Sequence, residues 1–226
     1  MVCRRIDAAE FNRDYLPICR RIFYKEGIQS VEQCKRPFVN RTWRITALPG
    51  PISWPWFPSD DPHWAELAQP DQTSDLDPLI WTWEKLGITQ IIATAEGWKP
   101  TEGPAPGHFP DPHFRGEATL EDLIDFPKKQ PAIALFFDTS GTWGLNWADG
   151  EDICLLAGDD CFMDTFYEVS GGEIAVRKRF DHHMLTGGGL FVCHPDHPDK
   201  YAYDFLYDDL LKWPQLDWIN GTPPEY

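Results

Sequence analysis

The chain has 226 residues, 42% of them hydrophobic and 14% aromatic, and a formal net charge of −16. This composition argues against intrinsic disorder, and the length suits one large domain or two small ones, with a core sizeable enough to need no disulfides. Strong acidity repels nucleic acid and anionic membranes, and no window approaches the roughly 20 apolar residues of a membrane helix, so neither is an expected partner.

Along the chain, Phe11, Tyr15, Ile18 and Ile22 recur at helical spacing from Asp7 to about Tyr24, and Pro17 should kink or split that helix. A second short helix is expected over Ile28 to Cys34. Thr42 to Leu48 alternates polar and apolar residues and reads as a strand. Four prolines and three aromatics between Pro49 and Pro58 describe a rigid loop that carries Trp54 and Trp56. Pro78 to Lys85 reads as a helix ended by Gly87, and Thr89 to Thr94 as a strand. The Pro-, Gly- and His-rich run from Gly97 to Gly116 reads as one long loop. A helix begins at Thr119 and precedes Pro127. Ala132 to Phe137 is continuously apolar, as expected of a central strand covered on both faces. Trp143 to Ala148 and Ile153 to Ala157 form a hairpin about Asp149-Gly150. Asp159 caps a short helix reaching Tyr167. Ile174 to Phe180 alternates and reads as a strand, Leu190 to Cys193 as another, and Asp204 to Trp213 as a closing helix stopped by Pro214.

Helices and strands interleave without regular βα alternation. The fold class is therefore α+β, a single mostly antiparallel sheet with helices packed on it and long Pro/Gly-rich loops. One domain is expected over residues 1–226. Its first 45 residues carry ten Lys/Arg against five Asp/Glu, and the rest carries ten against thirty-one. A basic helical segment, 1–45, packed on an acidic body, 46–226, would lower self-repulsion. The six cysteines form no C-x-x-C pair, and Cys154 and Cys193 have apolar neighbours. With no apolar leader after Met1, free thiols in a cytoplasmic protein are the expectation.

Three constellations invite a chemical reading. Asp138-Thr139-Ser140-Gly141-Thr142 and Gly158-Asp159-Asp160 together resemble the nucleophile and magnesium motifs of haloacid-dehalogenase-type phosphatases. Ser140, however, replaces the second aspartate, and the spacing leaves no room for parallel crossovers. A turn and a capped helix explain both runs. Asp181-His182-His183 resembles the D-H-H signature of a phosphoesterase family, and Cys193, His194 and His197 follow it. These groups are of the kind zinc or iron accepts, so a metal-assisted hydrolase using Asp138, Asp159 and the His182 to His197 cluster is the alternative function. Thr186-Gly187-Gly188-Gly189 and Ser170-Gly171-Gly172 read as turns followed by strands, not as phosphate cradles. None of these sets is complete, so neither a metal nor a cofactor is expected.

The C-terminal stretch interleaves aromatics with carboxylates, from Tyr201 to Trp213 and on through Leu216-Asp217-Trp218. Asp204, Asp208, Asp209 and Asp217, with Trp213, Trp218, Trp54 and Trp56, are the candidate binding residues. Carboxylates steer encounter with a basic protein, and aromatics anchor the contact. The segment Trp143 to Gly172, with its strands, short helix and Gly-Gly turn, is similar in style to bacterial immunity proteins, the antidotes paired with secreted toxins. That resemblance implies a small α+β protein that occludes a basic toxin or enzyme surface and needs no chemistry of its own.

Overall fold

The computed structural model describes residues 4–24, 37–49, 66, 68–95, 112–129, 134–147, 153–186 and 210–213. Its strands are β1 (Arg4–Arg5), β2 (Arg44–Pro49), β3 (Gln90–Ala95), β4 (His113–Glu117), β5 (Ala134–Phe137), β6 (Trp143–Trp147) and β7 (Ile153–Gly158). They form one seven-stranded sheet in the order β1-β4-β3-β5-β6-β7-β2, and each neighbouring pair is antiparallel. The helices are α1 (Ala8–Glu10), α2 (Leu16–Ile22), α3 (Asp77–Leu86), α4 (Leu120–Lys129), α5 (Asp160–Val169) and α6 (Glu173–Thr186), with a π-helical turn at Phe11–Tyr15 joining the first two. The α+β class is thus observed. The antiparallel sheet also removes the phosphatase resemblance, since that family's sheet is parallel.

Side-chain alternation explains how both faces of the sheet are covered. Ile91, Ala93, Ala134, Phe136, Trp143, Leu145, Trp147, Cys154 and Leu156 point to one side, where they pack with Trp83 of α3, Phe126 of α4 and Phe162 and Phe166 of α5. Ile92, Leu135, Phe137 and Ala157 point to the other, against Phe11, Tyr15, Leu16, Cys19 and Ile22 of the N-terminal helices. β5 lies fourth of the seven strands, and all four of its residues are buried, as its unbroken apolarity requires.

Local signals set several boundaries as expected. Gly87 ends α3 in the left-handed region at φ 69°, where its N–H reaches back to the Glu84 carbonyl. Asp159 caps α5 by accepting from the Phe162 N–H at 2.9 Å. Pro17 falls in the first turn of α2, directly after the π-helical turn, so the N-terminal run is divided where proline cannot donate.

Four expectations are corrected. Residues 113–116 belong to strand β4, not to a loop. The run His-Phe-Arg-Gly-Glu has no alternation of its own and is held by β3 on one side and β1 on the other. Ile174 to Phe180 lies in helix α6, not in a strand. Val176, Phe180 and Met184, four apart, are buried, whereas Ile174 is 57% exposed, so the operative period is helical. A helix therefore follows Ser170-Gly171-Gly172, where a strand was expected. In addition, α4 continues past Pro127 to Lys129, with the proline near its C-terminal end. The expected helix over Ile28 to Cys34, the Pro49 to Pro58 loop beyond Pro49 itself, the Asp149-Gly150 turn, the Leu190 to Cys193 strand and most of the Asp204 to Trp213 helix lie outside the described residues. Among the described residues no helix is long and apolar enough to cross a membrane.

Candidate functional site

Strands β5 and β7 each run antiparallel to β6, so Asp138 and Asp159, which follow them, emerge at the same end of the sheet. Two strand spacings separate them, roughly 10 Å. Each carboxylate has a local structural task. Asp138 is 8% exposed and accepts the Ser140 hydroxyl; the Ser140 Oγ in turn accepts the Thr142 N–H at 3.2 Å. Asp159 caps α5, and its own N–H donates to the Thr142 carbonyl at 2.9 Å. Hydrogen bonds within the turn thus tie the two loops together.

Helix α6 starts beside the opening of β2, where Glu173 lies 3.8 Å from Arg44. From there it passes over this edge strand. Val176 joins the α3–α5 side of the core, while Phe180 and Met184 pack with Ala47 and Ile153 on the opposite face. Asp181, His182 and His183 therefore lie toward the Pro49 and Ile153 end of the sheet. Asp138 and Asp159 lie at the other end, six residues of β7 away, or roughly 20 Å. Among the described residues, His182 and His183 thus stand apart from Asp138 and Asp159. Asp181 is wholly buried and paired with Arg177 at 3.4 Å, one helical turn away. His183 is buried too, and His182 half-buried. Among the described residues no group of three or more His, Cys, Asp or Glu is placed to hold a metal ion.

Of the candidate binding residues, Trp213 is described. Its ring is 7% exposed and packs edge-on against Phe180 at 5.9 Å, with the Arg177 guanidinium 5.4 Å from its centroid. It serves as a core anchor that pins the 210–213 segment onto α6, leaving little surface for a partner. Asp204, Asp208, Asp209, Asp217, Trp218, Trp54 and Trp56 lie outside the described residues, as do Cys193, His194 and His197.

The expected contrast between a basic N-terminal segment and an acidic body did not extend to the row of acids that one helical layer presents. The α3–α5 layer, with the start of α6, exposes Glu84, Asp160, Asp164, Glu168 and Glu173. Asp160, Asp164 and Glu168 follow one another at intervals of four, a row of like charges that repel on an isolated helix. Two cations temper the row: Arg44 pairs with Asp164 and approaches Glu173, and Lys85 meets Glu168 at 2.7 Å. The Arg44 guanidinium also lies 4.8 Å over the Tyr167 ring. Burial, reinforced by the charge of Glu173, pushes the Tyr167 hydroxyl up to about 12, against the smaller opposing effects of Thr46 and Arg44. The N-terminal segment across the sheet exposes Arg4, Arg5, Arg13, Arg20 and Arg21 beside two carboxylates, Asp7 and Asp14, the latter paired with Arg13 at 2.6 Å. The four-residue spacing of the acids was visible in the sequence once α5 was recognised as a helix. The two cations were not, because Arg44 is 120 residues from Asp164.

Comparisons with protein-family models, curated proteins and solved structures found no match for this chain.

Proposed function

We propose that this chain is a protein-binding module, an immunity-type antidote that occludes a basic surface on a toxin or enzyme. The observation that carries this reading is the segregation of charge. The exposed carboxylates Glu84, Asp160, Asp164, Glu168 and Glu173 gather on one helical layer of a chain whose net charge is −16. A surface of one sign raises the encounter rate with a partner of the other sign and sets its orientation. The acidic, aromatic C-terminal residues Asp204, Asp208, Asp209, Asp217 and Trp218, with Trp54 and Trp56, extend the same chemistry in sequence.

The test begins with recovery of partners from a host lysate at low and moderate salt, followed by binding kinetics with the purified partner. The expected partner is basic, and its association slows steeply as salt rises. Charge reversal at Asp204, Asp208 or Asp209 slows association further, while dissociation changes less. A partner that is not basic, or association indifferent to salt and to these reversals, would refute the proposal.

A further inference from the structure

We draw no further inference here: the strongest candidate, the side-chain cluster at the α5–α6 turn where the buried Ser170 hydroxyl and the buried Arg179 lie near the N-terminus of α6, carries nothing because Arg179 donates to the Ser170 carbonyl, Gln69 lies against Gly171, Glu173 sits in the first turn, and no second observation points to a ligand there.

Discussion

Replacing Gly144 with alanine tests the docking of the N-terminal helices on the sheet. Gly144 lies on β6 between Trp143 and Leu145, whose side chains face the α3–α5 layer, so its own Cα faces the N-terminal helices. An added Cβ would lie 2.5 Å from the Ile22 Cγ2 and 2.6 Å from the Phe23 Cζ. Carbon atoms in favourable contact are about 3.5–4.0 Å apart, so the two side chains must retreat by roughly 1 Å or more. Neither has an open route. Ile22 and Phe23 are buried, and Phe23 is wedged between Phe38 at 5.5 Å and Phe137 at 6.3 Å. Overpacking of this kind costs about 1–3 kcal/mol, while removing a strand glycine returns about 0.5–1 kcal/mol. A net loss of about 1 kcal/mol should lower Tm by about 2–4 °C in a chain of this size. Urea titration gives the free energy and calorimetry the midpoint. In a Phe23→Leu background, which removes one of the two obstacles, Gly144→Ala should cost measurably less. A neutral or stabilising Gly144→Ala, or full additivity with Phe23→Leu, would refute the close approach.

Other expectations follow from burial and charge. Because the Tyr167 hydroxyl titrates at about 12 when folded, against 10 for an unperturbed tyrosine, its stabilising contribution is intact below pH 10 and is lost as pH rises through that interval. Stability measured from pH 9 to 12 should fall less steeply in Tyr167→Phe than in the parent; equal slopes would remove this residue from the account. Burial pushes the Cys154 thiol far above its ordinary range, whereas Cys161 is exposed. Peptide mapping after brief alkylation of the native protein should find Cys161 modified and Cys154 intact, and equal labelling would contradict the packing of β7. Trp213→Ala should cost about 3 kcal/mol and increase binding of an apolar dye, because Phe180 and Met184 lose their cover. An unchanged urea midpoint would show that the ring does not hold the 210–213 segment. Asp159→Ala should cost about 1 kcal/mol through loss of the α5 cap, with Asp159→Asn retaining most of it, both read from urea midpoints.

The sequence by itself determined the features that depend on neighbours within a turn or two. The cap at Asp159, the stop at Gly87 and the interruption at Pro17 each rest on a local hydrogen bond or steric exclusion, and the unbroken apolar run of β5 marks by itself a strand covered on both faces. The α+β class followed from the order of such elements. Tertiary structure decided the rest. β4 is a strand because β1 and β3 satisfy its backbone, and His113 fits there because its Nδ1 meets the Thr94 hydroxyl at 2.9 Å while its ring stacks on Phe11. The residues from Ile174 to Phe180 suit either period in isolation, and the burial of Val176, Phe180 and Met184 against distant strands selects the helix. The candidate sites divide in the same way. Asp138 and Asp159 were legible as turn and cap residues, but their separation from His182 and His183 depends on the path of α6 over the edge of the sheet. Likewise Trp213 reads as a candidate binding residue, and only the packing of Phe180 and Arg177 around it shows how little of the ring is left for a partner, because burial is set by pairings between residues far apart in the chain, which local sequence patterns do not encode.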